Sequence, residues 1–75
     1  MTTFDGRKYL ELSEKEFWEL NETTRRKMIL KLMFIKTPKY LYCVGALGEW
    51  WTMARYERID SEHISDDCEI VDKWL

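Results

Sequence analysis

The sequence has a single histidine, and it lies in an acidic stretch that holds the residues with the most metal-like spacing. The single histidine, His63, stands between Asp60 and the pair Asp66 and Asp67. A metal site needs several such ligands at a suitable spacing, which neighbours in an acidic loop do not provide. The calcium-loop pattern D-x-[DN]-x-[DN]-G is missing, because no glycine follows Gly48. The sequence therefore predicts a solvated loop around His63, with no metal and no cofactor.

Motifs of nucleophilic catalysis and of nucleotide binding are also missing. The chain has no C-x-x-C pair, no GxGxxG and no Walker A lysine, and no serine or cysteine has an adjacent base with an orienting group. Paired carboxylates are plentiful near the C-terminus, but acid–base catalysis needs a pocket that raises a carboxyl pKa. A chain of 75 residues rarely builds such a pocket alone. We expect a protein that is not an enzyme.

Size and composition limit the chain to a single domain over residues 1–75. With 45% hydrophobic and 35% charged residues it is too apolar for a disordered tail. Four Trp, four Tyr and three Phe residues supply large side chains to a small core. The formal charge of −2 argues against a general nucleic-acid coat.

The ends and the cysteines indicate a cytoplasmic protein. The N-terminus lacks the basic region and apolar stretch of a secretory signal. The longest nearly apolar run, residues 28–35, is far shorter than the ~20 residues that span a bilayer. In the cytoplasm Cys43 and Cys68 are reduced. Cys43 lies in an apolar stretch and is expected in the core. A disulfide between Cys43 and Cys68 is the alternative.

The first helix has the clearest start signal in the sequence. We expect residues 7–12 to form a short lead-in strand or an extended lead-in. Ser13 and Glu16 make the S-x-x-E capping box, and Leu12 and Phe17 occupy the two positions of a hydrophobic staple. Both devices place the start of a helix at Ser13.

A second helix is expected after the break at residues 21–24, where caps outnumber good helix formers. It runs from a cap at Asn21 or Thr23 to about Ile35, before Pro38. One long helix through Asn21, or a buried strand over residues 28–35, are the alternatives. On a helix, Leu30 and Phe34 point away from the apolar side, so we expect them to mediate self-association as a homodimer.

The C-terminal half changes to residues that favour strands. Residues 40–46 and 50–59 form a β-hairpin around a turn at residues 47–49. A polar connection over residues 60–65 follows, and the apolar spacing from Cys68 to Leu75 predicts a short C-terminal helix that Trp74 docks. The expected class is α+β: lead-in strand, helix pair, hairpin and terminal helix.

Charge is distributed unevenly along the chain. Residues 25–39 hold six basic residues and no acidic one, whereas residues 57–72 hold seven acidic residues and one basic one. Three interpretations are possible. The two segments are solvated faces that partly neutralise each other, or the acidic segment imitates a phosphate backbone and binds a basic channel of a partner. In the third interpretation, the basic segment binds nucleic acid directly. The residues for that last alternative, a small nucleic-acid-binding or transcription-related module, are Arg25, Arg26, Lys36 and Lys39.

Two adjacent tryptophans complete the expected site. Neighbours on a strand point to opposite faces, so one of Trp50 and Trp51 packs inward and the other anchors an interface. Small acidic chains rich in aromatics and lacking catalytic motifs are typical of accessory proteins of phages and other mobile elements, a likeness of character only. We expect a regulator or inhibitor that blocks a host or defence protein. Its partner-binding residues are Trp50, Trp51, Asp66, Asp67 and Glu69.

Overall fold

The computed structural model describes residues 2–3, 10–60 and 63–75, and these form two helices and one mixed β-sheet. The helices are α1 (Glu14–Glu19) and α2 (Glu22–Leu32). The strands are β1 (Thr2–Thr3), β2 (Leu10–Glu11), β3 (Phe34–Lys36), β4 (Tyr40–Leu47), β5 (Trp50–Arg58) and β6 (His63–Trp74). Their order in the sheet is β1-β6-β5-β4-β3-β2, with β2 and β3 parallel and the other neighbours antiparallel. Helices and a largely antiparallel sheet agree with the expected α+β class.

The core lies between the helices and one face of the sheet, which we call the helix face. Its buried side chains come from both layers: Phe17, Ile29, Ile35, Tyr42, Met53 and Trp74. Side chains alternate between the two faces of a sheet along each strand. The residues next in sequence to these strand residues therefore point to the opposite face, which we call the outer face. Leu41 and Ile64 are buried there, while Ile70 is exposed.

The start of α1 confirms the capping box. The Glu16 amide donates to Ser13 Oγ at 3.0 Å, and the Ser13 amide donates to Glu16 Oε1 at 3.3 Å. Phe17 is fully buried, and Leu12 packs against the same core. Of the lead-in strand, residues 7–9 lie outside the described residues; β2 pairs with β3 through Leu10 and Glu11.

Ser13→Ala should lower the free energy of unfolding by about 0.5–2 kcal/mol, because the Glu16 amide loses its acceptor at the helix start. Urea denaturation followed by circular dichroism measures this. Thr23→Ala is the matched control, since Thr23 is exposed in the first turn of α2 without being its cap. Equal midpoints for the wild type and Ser13→Ala would contradict the capping role.

The break between the helices lies where the sequence placed it. Asn21 caps α2 by accepting a hydrogen bond from the Thr24 amide at 2.8 Å. The alternative of one long helix is wrong, because Leu20 has extended backbone dihedral angles. Neither helix of the described part is long and apolar enough to cross a membrane.

The expected end of α2 near Ile35 is wrong. The helix ends at Leu32, Met33 adopts the left-handed conformation at φ 70°, and β3 begins at Phe34. The Val44 amide donates to the Met33 carbonyl at 3.1 Å, so the turn joins the helix to the sheet. A buried strand over residues 28–35 is wrong as well, since most of that run is helical.

This ending separates the two residues expected to mediate self-association. Leu30 is exposed on α2, whereas Phe34 lies opposite Cys43 in the sheet and is only partly exposed. They do not share a helix face. Self-association itself stays a prediction, and light scattering of the wild-type protein at high micromolar concentration tests it.

The hairpin of β4 and β5 is confirmed. Its register runs from Tyr40 opposite Glu57 to Leu47 opposite Trp50. Gly48 takes φ 61° in the turn between the strands, a conformation that glycine adopts without a steric penalty.

The expected C-terminal helix is wrong, because residues 63–74 form β6 along the full length of β5. The register shifts twice, between Met53 and Ala54 and between Tyr56 and Arg58. Extra residues in β6 break the alternation of apolar and polar positions that would have identified a strand. Trp74 docks the chain end, as expected, but from a strand opposite Trp51.

Candidate protein-binding surface

The largest exposed apolar side chains of the hairpin lie at its turn. Leu47, Trp50 and Trp51 are 65%, 40% and 44% exposed. We call these three residues the hairpin end. A tryptophan that is two-fifths exposed offers a large, rigid contact area, which is the usual anchor of a protein interface.

The two tryptophans lie on opposite sides of the sheet, as alternation along β5 requires. Trp51 pairs with Trp74, a core residue of the helix face. Trp50 is on the outer face, where the Lys73 ammonium lies 5.0 Å from its ring centroid. The expectation that one of the pair packs inward is wrong in one respect, since both remain exposed. A partner can therefore contact Trp51 from the helix face or Trp50 from the outer face.

The acidic residues expected to join this surface lie elsewhere. Asp66 and Asp67 are exposed near the start of β6, eight and seven residues before Trp74. At a rise of ~3.3 Å per residue the separation is about 25 Å. The predicted site is thus two surfaces. One is the hairpin end, and the other consists of Asp66 and Asp67 on β6, which we call the acidic surface.

A groove on the helix face runs beside the acidic surface, with a volume of about 350 Å³. Arg55 lies at its centre, 4.4 Å above the Tyr40 ring and 2.7 Å from Glu69 Oε1. The remaining lining residues are Glu57, Ser65, Asp67 and Cys68. Three carboxylates against one guanidinium give this groove a net negative charge, which suits a cationic side chain.

Arginine–carboxylate ion pairs join β6 to the rest of the fold. Arg55 reaches Glu69, and Arg26 donates two hydrogen bonds to the Asp72 carboxylate, at 3.0 and 2.8 Å. Arg26 also lies 5.1 Å from the Trp74 ring centroid. The basic and acidic segments therefore neutralise each other in part, as one of the three interpretations of the charge pattern holds.

The Arg26–Asp72 pair predicts a specific sensitivity to acid. Hydrogen bonds from Arg26 hold the pKa of Asp72 below its ordinary 3.8. The stabilisation is therefore complete above about pH 4 and is lost as the pH falls through the lowered pKa. Asp72→Asn should remove this part of the acid-induced loss of stability, measured by urea denaturation between about pH 5 and pH 2. Asp67→Asn, the control, should keep it; parallel pH profiles for wild type and Asp72→Asn would contradict the assignment.

Most residues of the nucleic-acid alternative are engaged within the fold. Arg25 donates to the Leu20 carbonyl and lies 4.8 Å from the Trp18 ring centroid. Arg26 binds Asp72, and Lys36 is buried. Lys39 is exposed, so the four residues do not form one exposed basic patch.

A polar cluster that sequence patterns do not predict joins α1 to the sheet. Glu14 accepts hydrogen bonds from Tyr42 Oη at 2.8 Å, from Trp18 Nε1 at 3.3 Å and from the Thr37 hydroxyl. Burial, and next the bond to Glu14, raise the pKa of Tyr42 to about 12. The tyrosine stays protonated at neutral pH, and the cluster orients α1.

The cysteines are free, and the register keeps them apart. Cys43 is on β4 and Cys68 is on β6, with β5 between them. Two strand spacings of ~4.8 Å exceed the Cα distance that a disulfide bridges. Burial raises the pKa of the half-buried Cys43 thiol to about 11.

His63 contacts Asp60 Oδ1 at 2.9 Å through Nδ1. Among the described residues, no three His, Cys, Asp or Glu side chains are grouped so that they could hold a metal ion.

Comparisons of the chain with family models, with curated proteins and with solved structures found no match.

Proposed function

We propose that this protein is a non-catalytic regulator or inhibitor that binds another protein through the hairpin end, in the cytoplasm. The observation that supports the proposal is the exposure of Leu47, Trp50 and Trp51 around one turn. Exposed tryptophans cost solubility unless they serve a contact, and buried aromatic anchors dominate the energetics of protein interfaces. The host or defence complex of a phage or mobile element is the class of partner that the small, acidic, aromatic-rich chain fits.

The acidic surface has a separate part in the same proposal. Charges at the rim of an interface steer encounter and raise the association rate more than they add to affinity. Asp66 and Asp67 stand about 25 Å from the hairpin end, so they steer a partner that is large enough to reach both surfaces. That requirement favours a folded protein over a small molecule.

Substitution of the tryptophans tests the proposal. Tagged wild-type protein and the variant Trp50→Ala, Trp51→Ala are used to capture proteins from lysate of the source cell, with quantitative mass spectrometry. The specific partner should bind the wild type and lose about 30-fold or more in affinity for the variant, as at an interface hot spot.

Ile59→Ala is the matched control. Ile59 is 58% exposed and directly follows β5, at the end opposite the hairpin turn. It should retain the partner at the wild-type level. Equal capture by the tryptophan variant and the wild type would exclude the hairpin end as the anchor.

A further inference from the structure

We infer that the outer edge of β6 accepts an extended segment of the partner as an additional strand, and that basic and aliphatic residues alternate in this segment. The inference rests on the proposed function and names the chemistry that the partner presents. It starts from backbone hydrogen bonding, since the edge of a sheet is a template for another strand.

The outer edge of β6 is long and largely without a strand partner. Within the described residues β1 alone pairs with it, at His63 and Ile64, although β6 continues to Trp74. The other edge of the sheet is formed by β2, which has two residues. Among residues 2–3, 10–60 and 63–75, only β6 therefore offers an edge long enough for several consecutive strand hydrogen bonds.

Local hydrogen bonds define the part of the edge that is available. The Asp67 amide donates to Ser65 Oγ at 3.2 Å, and the Lys73 amide donates to Asp72 Oδ1 at 2.8 Å. These amides already have acceptors. The stretch between them, residues 68–72, is where an added strand can pair with β6. Its side chains alternate over residues 68–70, and the extra residue Val71 follows before Asp72.

The side chains of β6 determine the pattern of the added strand. Glu69 lies opposite Arg55 on the helix face, where Asp67 also lines the groove. Ile70 lies opposite Ala54 on the outer face and is 53% exposed. Because cross-strand neighbours on one face interact, basic residues belong on the helix face of the added strand. Aliphatic residues belong on its outer face, where they cover Ile70.

The net charge of the segment around β6 favours a basic partner segment over a second copy of this chain as the added strand. Residues 60–72 contain six acidic residues and no lysine or arginine. Two β6 strands paired about a twofold axis would bring two such acidic segments side by side, and the repulsion between segments of like net charge opposes the pairing. A basic segment gains the attraction that a second copy lacks.

A set of synthetic peptides tests the edge directly. The probe is the acetylated, amidated peptide KVKVKVK, titrated into the ¹⁵N-labelled full chain and followed by NMR and amide hydrogen exchange. We expect saturable shifts and slowed exchange at residues 68–72. The peptide KKKKVVV has the same composition without the alternation and should bind about tenfold more weakly. EVEVEVE should not bind.

Backbone pairing is tested with N-methylated peptides. One version of KVKVKVK is methylated on the backbone nitrogens of the valines, and another on the backbone nitrogens of the lysines. Each version therefore lacks one alternating set of backbone hydrogen-bond donors. At least one of them should lose binding, because an added strand donates through one set. Ile70→Lys should weaken KVKVKVK, whereas the control Ile59→Lys should not.

Two results would overturn the inference. One is the absence of binding of KVKVKVK at residues 68–72. The other is equal binding of both N-methylated peptides and of KKKKVVV, which would show attraction to an acidic surface without strand pairing and leave the acidic residues as protection against edge aggregation. Loss of partner capture by the tryptophan variant together with either result would retain the proposed function and reject the edge.

Discussion

Phe17→Ala is expected to lower the free energy of unfolding by about 3–5 kcal/mol. Phe17 is fully buried at the start of α1, with its ring centroid 4.5 Å from that of Tyr42 and 5.1 Å from that of Trp18. A chain of 75 residues has a total stability of only about 4–11 kcal/mol. Urea denaturation followed by tryptophan fluorescence should therefore show a much lower midpoint, and at the lower end of this range the variant is unfolded without urea.

The control for Phe17→Ala is a substitution of similar size at the surface. Trp50→Ala removes a larger side chain, but Trp50 is already exposed and opposite Leu47 at the hairpin end. It should cost about 1 kcal/mol or less. Phe17→Leu, which keeps most of the apolar volume, should fall between the two. A loss below about 1 kcal/mol for Phe17→Ala would contradict the placement of α1 on the sheet.

The elements that the sequence predicted are those with a local signal. The capping box at Ser13 and the break at Asn21 depend on hydrogen bonds between residues three apart, so a few adjacent residue types determine them. The hairpin depends on a turn and two stretches of strand-forming residues, which also lie close in sequence. Local signals of this kind predict an element without knowledge of the rest of the fold.

The elements that it missed depend on distant contacts. β6 contains Asp66, Asp67 and Glu69, which disfavour strands, and extra residues in it break the period of two. It is a strand because β5 supplies a partner along its length, and because Arg26 and Arg55 bind its carboxylates. Tertiary contacts outweigh propensity here.

The candidate site was predicted in its parts and not in its arrangement. Alternation along a strand predicts that one of Trp50 and Trp51 is exposed beside the turn, whereas both are exposed. Their separation from Asp66 and Asp67 follows from β6 being extended. A helix over the same residues would have been less than half as long, at 1.5 Å per residue, and would have brought the carboxylates closer to Trp74.

Asp66→Lys, Asp67→Lys is expected to slow association with the captured partner by about tenfold or more at low salt. Both residues are exposed, so the fold should be retained. Glu69 is left unchanged, because a lysine there would face Arg55 and destabilise β6. Stopped-flow measurements of the association and dissociation rate constants, each at low and at high salt, determine the effect.

Trp50→Ala is the contrasting variant, and its effect should appear in the other rate constant. Removal of a desolvated anchor accelerates dissociation, whereas charge at a distance acts on encounter. High salt should bring the association rate of the charge-reversal variant close to that of the wild type, because screening at 1 M acts beyond about 3 Å. If the charge-reversal variant associates as fast as the wild type at low salt, the acidic surface keeps the protein soluble and takes no part in recognition.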